Sequence, residues 1–234
     1  MANSYFQFKQ FTIWQDRCAM KVGTDGVLLG AWSDVSRAKR ILDVGAGTGL
    51  VALMLAQRSE ALIEAVEIDG DSAVQARENV EASPWGNRIR VTQIDFREFI
   101  SHEKFDLIVS NPPYFSHSLL SPDKKRSTAR HDNSLSANEL IRDASRLLAD
   151  WGELSLVLPA DARQSICDIA HSYGLKPHRQ LNIVTSPGKP AKRILISFRF
   201  HPPVFAVEEM LIEEERHVYS REYTSLTKDF YLKI

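Results

Sequence analysis

Residues Arg40–Leu50, RILDVGAGTGL, leave this chain few ways to fold. A short apolar run (Ile41, Leu42, Val44) breaks at Gly45, Gly47 and Gly49, and Leu50, Leu53 and Met54 then recur at helical spacing along one face. A strand that turns through glycine into a helix brings its backbone close to a bound nucleotide, because no Cβ blocks the approach. The spacing here is G-x-G-x-G. Leu50 stands where a dinucleotide-binding turn needs its third glycine, which argues against an NAD-dependent oxidoreductase. Asp43, two residues before Gly45, would repel a pyrophosphate and suit a cationic ligand without phosphates.

The alternation of elements continues beyond the turn. Leu62–Val66 reads as a buried strand ending in Glu67, twenty positions after Gly47. An acid at that distance, at a strand's carboxyl end, can accept both hydroxyls of a ribose. Asp69 and Asp71 read instead as helix N-terminal acids before a helix from Asp71 to Ala82. Ile89–Ile94 is a third strand closing on Asp95-Phe96, and Phe105–Ser110 a fourth that runs directly into Asn111-Pro112-Pro113-Tyr114. Consecutive prolines fix φ and remove two backbone donors, which leaves carbonyls free to point into a site. The Asn111 side chain adds an acceptor, so the turn can hold an exocyclic amine by both hydrogens while Tyr114 offers a face for a ring. Ser136-Ala137-Asn138-Glu139 has the form of a capping box for a helix through Leu148. A strand over Gly152–Leu158, a helix capped by Asp161, and two strands over Leu175–Thr185 and Arg193–Phe200 follow. Before the glycine turn, Tyr5–Trp14 alternates large and polar side chains as a hairpin or extended arm. Lys21–Gly26, KVGTDG, opens an apolar helix with Thr24 or Asp25 as its cap.

Asp43–Gly49 together with Asn111–Tyr114 resembles the N-P-P-Y amino methyltransferases, within the class I S-adenosylmethionine-dependent methyltransferases. The KVGTDG turn and Ala129-Arg130-His131 are similar to the bacterial tRNA1(Val) adenine-N6 methyltransferases. The resemblance implies a Rossmann-like α/β fold, a seven-stranded, mostly parallel sheet with an antiparallel edge and helices on both faces. It implies S-adenosyl-L-methionine as cofactor and, as substrate, the tRNA adenine 3′ of the anticodon. It further implies that the turn at Thr24 and Asp25 lies over the cofactor's methionine end, that Asp95 accepts the adenine amino group, and that Phe96 lies against the ring. A turn aspartate is the other reading of Asp95. On this view the chain is one domain, with an N-terminal arm and helix over 1–32, a catalytic core over 38–200 and a C-terminal extension over 201–234.

Composition bounds the partners. A net charge of −1 excludes a basic footprint over the whole chain, so any RNA surface is local. Residues 117–131 carry a net +3, with Lys124, Lys125, Arg126, Arg130 and His131 as candidate contacts beside the N-P-P-Y turn. A second basic stretch runs from Lys176 to Arg193 without an acid, and Lys189, Lys192 and Arg193 are its favoured contacts. Glu208, Glu209 and Glu213–Glu215 would repel RNA, which predicts an outward face or a strand away from the substrate. Cys18 and Cys167 form no C-x-x-C, the seven histidines show no metal-ligand spacing, and no apolar run approaches the ~18 residues of a membrane span. The expectation is a cytoplasmic enzyme with no metal, no membrane and no obligate protein partner. Two competing functions are a protein-glutamine methyltransferase of release factors, which shares N-P-P-Y but carries an N-terminal helical domain, and a non-catalytic RNA-binding protein with a vestigial pocket.

Overall fold

The computed structural model describes residues 3–112 and 135–233. An antiparallel hairpin, β1 (Tyr5–Gln7) and β2 (Thr12–Trp14), precedes α1 (Thr24–Trp32). Strands and helices then alternate: β3 (Arg40–Val44), α2 (Leu50–Arg58), β4 (Leu62–Glu67), α3 (Gly70–Glu81), β5 (Ile89–Gln93), β6 (Phe105–Ser110), α4 (Ala137–Leu147), β7 (Leu148–Pro159), α5 (Arg163–Ser172), β8 (Lys176–Val184) and β9 (Arg193–Arg199). The tail adds β10 (Ala206–Leu211), β11 (Glu213–Glu215), β12 (Val218–Tyr219) and α6 (Arg221–Thr227). The main sheet runs β10-β8-β9-β7-β6-β3-β4-β5, and β9 alone is antiparallel to its neighbours.

Strand periodicity builds two cores. Ile41, Ile63, Leu107 and Val109 face a layer containing the hairpin, α1, α2 and α6, where Phe8, Leu28, Leu53 and Phe230 are buried. Leu42, Val66, Ile108 and Leu156 face the opposite layer, with Leu140 and Ile141 of α4 and Ile166 of α5. Both faces are covered, as parallel sheets require.

Four local expectations change. Among the described residues the sheet has eight strands rather than seven, because β10 pairs in parallel with β8, and the antiparallel strand β9 lies between β8 and β7 rather than at the edge. Only Met210 of β10 is buried, so this strand is held chiefly by its backbone ladder, to which Glu208 and Glu209 are no obstacle. Helix α2 is buried from Leu50 to Ala56 instead of on one face, because α1, in the same layer, packs against it as well as the sheet. Gly30 makes that contact possible: a Cβ there would stand 2.8 Å from the Cβ of Met54. Finally, Gly23 caps α1 rather than Thr24 or Asp25, and Asp161 lies in a 3₁₀ turn before α5 instead of capping it. The predicted capping box of α4 is present, with Ser136 Oγ accepting the Glu139 N–H (3.2 Å) and Glu139 accepting the Ser136 N–H (2.9 Å).

The acidic tail does not stand apart from the N-terminus. Phe8 stacks on Tyr231 with ring centroids 5.8 Å apart, the Lys9 N–H donates to the Phe230 carbonyl (2.8 Å), and α6 lies against α1. Among the described residues no helix is long and apolar enough to cross a membrane.

Candidate active site

The chain leaves β3 toward β4 and β5, while β6 and β7 lie on its other side. This reversal opens a crevice at the carboxyl ends of β3 and β6, where open α/β sheets bind ligands. Two adjoining cavities of about 550 and 570 Å³ occupy it and share Met20, Gly45, Gly47, Asn111 and Pro112 as walls. The Ser110 hydroxyl donates to the Val44 carbonyl (2.8 Å) and locks the two strand ends together.

The glycine turn is held from β4. Gly45 and Ala46 donate their N–H groups to the Val66 carbonyl (2.9 and 3.1 Å), and Glu67 Oε2 accepts the Gly47 N–H (2.8 Å). The other carboxylate oxygen of Glu67 accepts the Asp69 N–H (3.0 Å), while Asp69 caps α3. Gly45, Gly47 and Gly49 all have positive φ (74°, 54° and 81°). An added Cβ at Gly45 or Gly47 would meet nothing within 4 Å, so each glycine keeps open space in the cavity rather than relieving a clash within the fold.

Asp43 lies beneath this turn, only 2% exposed, with one oxygen accepting the Ala52 N–H (3.1 Å). Burial pushes its carboxyl up to about 7; the Ala52 N–H opposes that shift and the nearby Glu67 adds to it. Its folded-state value lies above the ordinary one. Its stabilising contribution is thus fully present below about pH 4 and is lost as pH rises through about 7. We expect urea unfolding of the ligand-free protein to give lower stability at pH 8 than at pH 5.5 from this group, and Asp43→Asn to flatten that difference. A cation bound beside Asp43 favours its ionised form. Calorimetric titration of S-adenosylmethionine near pH 6.5 should therefore release protons in the parent protein and release fewer in Asp43→Asn.

At the far end of the first cavity, Asp95 receives the backbone N–H and the guanidinium Nε of Arg97, each at 2.9 Å. The Arg97 side chain holds the Asp95 carboxyl below its usual range, against the opposing effect of burial. Arg97 Nη2 also donates to Asp95 Oδ2 (2.5 Å), so Arg97 already takes up the acceptor directions of this carboxylate and a further donor would share one of them. Arg97 also reaches Glu139 of the α4 capping box (3.5 Å), which ties this end of the cavity to the helix beside Leu135. Phe96 is buried and lines the cavity with Ile68 and Ile94. Thr24 and Asp25 line the second cavity with Lys192 and Arg193. Arg193 Nε donates to Asp25 (3.1 Å), which joins a predicted cofactor residue to a predicted RNA residue. Lys189 stays exposed on the β8–β9 turn, away from both cavities. Pro113, Tyr114, Lys124, Lys125, Arg126, Arg130 and His131 lie outside the described residues.

A part of the cavity wall carried no sequence signal. Arg17, Cys18 and Met20 line the first cavity, brought there because α3 clamps the preceding segment. Asn79 accepts the Trp14 N–H and donates to the Trp14 and Thr48 carbonyls, while Gln75 accepts the Arg17 N–H. Among the described residues no group of three His, Cys, Asp or Glu side chains could hold a metal ion.

The methyltransferase small domain model matches residues 21–174, from the KVGTDG turn to the end of α5. The chain belongs to this family of methyltransferases. A tRNA1(Val) (adenine(37)-N6)-methyltransferase of Bacteroides fragilis is 56% identical over the full length of both chains, and one of Trichodesmium erythraeum is 47% identical, again over both full lengths. Two solved structures share the fold. One is a protein of Agrobacterium tumefaciens described as a predicted O-methyltransferase (TM-score 0.68, 23% identity, 88% of this chain and 96% of that one). The other is a ribosomal protein L11 methylase from Lactobacillus delbrueckii (TM-score 0.54, 17% identity, 75% of this chain and 77% of that one). S-adenosyl-L-methionine is the cofactor of this methyltransferase family. The cavity fits it: the glycine cradle leaves space for a ligand, and the acids Glu67 and Asp95 line the first cavity and Asp43 the second, a donor set that suits a cationic nucleoside without phosphates.

Proposed function

We propose that this chain, as a single methyltransferase domain, methylates N6 of adenine 37 in tRNA1(Val). The observation that carries the reading is the meeting of the glycine cradle with Asn111 and Pro112 across one crevice, in a chain 56% identical end to end to an enzyme so named. Glu67, Asp95, Phe96, Gly45 and Gly47 would hold the nucleoside part of the cofactor, and Asp43 with Thr24 and Asp25 would face its methionine part. When bound, S-adenosylmethionine supplies an electrophilic methyl group. The protein's own task is to present the amine. That amine's lone pair is delocalised into the purine, so it must be drawn out of conjugation as it attacks. The Asn111 side-chain oxygen and the Pro112 carbonyl would do this by accepting the two N–H bonds, with Tyr114 the residue proposed to stack on the ring. Positioning and exclusion of water supply much of the rate. No strong base is required, because the proton can leave to solvent after transfer.

Lys124–Arg130 and Lys189–Arg193 would contact the phosphates of the tRNA. An adenine in an unpaired loop suits the site, since it reaches the turn with little unstacking. The test is mass spectrometry of nucleosides from tRNA incubated with the protein and labelled cofactor. N6-methyladenosine at position 37 is expected; label in a release-factor glutamine, or in no RNA, would overturn the reading.

A further inference from the structure

On the other side of the Gly23–Thr24 turn from the cofactor crevice lies a cavity of about 360 Å³, within the usual size range of a small-molecule site. Its walls are aromatic: Phe6 from the hairpin, Tyr219 from β12, Tyr223 from α6 and Tyr231 beyond it, with Lys233 at the rim. Gly23 and Thr24 line both this cavity and the crevice that holds Asn111, so the two open on either side of one short turn.

The rings differ in how they are held. Tyr223 is 4% exposed, and Tyr231 is stacked from behind by Phe8, so these form a fixed wall. Tyr219 is 44% exposed, its ring centroid 5.1 Å from that of Tyr223 and tilted by 37°. A fixed aromatic wall beside an accessible ring is the arrangement on which unpaired bases stack. Burial keeps the hydroxyls of Tyr223 and Tyr231 protonated, so neither presents a phenolate to a phosphate. Glu213, paired with Tyr219 across the β11–β12 ribbon, adds negative charge nearby. Stacking rather than phosphate attraction must therefore carry the affinity, with Lys233 the cation at the rim.

We propose that this aromatic cavity is a second base site, taking an unpaired nucleobase of the substrate strand next to the methylated adenine. The proposal rests on the RNA-methylating reading above. It gives the acidic tail a part in substrate binding, since β12, α6 and the residues after it build the site.

The probe is an anticodon stem-loop RNA carrying 2-aminopurine at one or the other nucleotide flanking the target adenine. Binding should change the fluorescence at one of those positions. Tyr219→Ala should abolish that change and raise the KM for RNA about tenfold, with kcat and cofactor affinity unchanged, whereas Tyr219→Phe should behave as the parent. Lys233→Gln should lower the slope of log affinity against log salt by about one. An unchanged KM and an unchanged fluorescence response in Tyr219→Ala would overturn the proposal. If the parent protein methylates no RNA, the functional reading fails by itself. The fluorescence arm needs no turnover and still decides the cavity's role.

Discussion

Asn111→Ala is expected to lower kcat by at least about thirtyfold while leaving S-adenosylmethionine affinity within about twofold, the loss of roughly 2–4 kcal/mol that follows removal of one aligned transition-state acceptor. Asn111 stands directly at the end of β6, where the Ser110 hydroxyl ties that strand to β3. Its amide nitrogen lies against α1, 3.7 Å from where a Cβ on Gly26 would stand. The side chain is therefore braced between the sheet and the helix whose first turn lines the same cavity. Asn111→Asp keeps acceptor oxygens and should retain more activity than the alanine variant. Single-turnover rates with saturating cofactor would check this. An alanine variant with more than about a tenth of the parental rate would mean that the amine is held elsewhere.

The second large effect falls on cofactor binding. Glu67→Ala should weaken S-adenosylmethionine affinity about a hundredfold, near 3 kcal/mol, the scale of hydrogen bonds to a charged acceptor. Two consequences combine. The ribose loses its acceptors, and the Gly47 N–H loses the carboxylate that fixes the glycine turn at 2.8 Å. Glu67→Gln, which retains one acceptor oxygen, should fall between the two. Calorimetry would measure this directly, and an unchanged affinity in Glu67→Ala would remove Glu67 from the ribose site. Because Glu67 is only partly buried and its partners are backbone donors near solvent, the thermal stability of the ligand-free protein should change little.

Much of the molecule follows from local pattern. Ile41 and Leu42, adjacent in β3, enter opposite cores because a strand's side chains alternate, and that alternation is visible in the sequence. The glycine turn, Glu67 at a strand end, the Ser136–Glu139 capping box and the hairpin all rest on short-range rules of φ, period and hydrogen bonding. So does the placement of Asn111 and Pro112 at the carboxyl end of β6.

Other features arose only on folding, since each depends on partners remote in sequence. Asp43 reads as a site acid in the chain, but its burial under α2, which moves its carboxyl toward neutrality, comes from packing. Asp25 and Arg193 are 168 residues apart, and only the approach of the β9 start to the α1 start makes them a pair. Arg17, Cys18 and Met20 join the cavity because Asn79 and Gln75 of α3 grip the segment before them. The tail carries the weakest local signal. Its glutamates suggest a surface remote from the substrate, yet β10 joins the sheet through backbone hydrogen bonds, and Tyr219, Tyr223 and Tyr231 meet Phe6 beside Thr24. Backbone pairing is nearly blind to side-chain charge, and clusters of rings drawn from both ends of a chain have no spacing to reveal them. Short-range chemistry determined where the strands and turns lie, while long-range packing decided which side chains share a cavity.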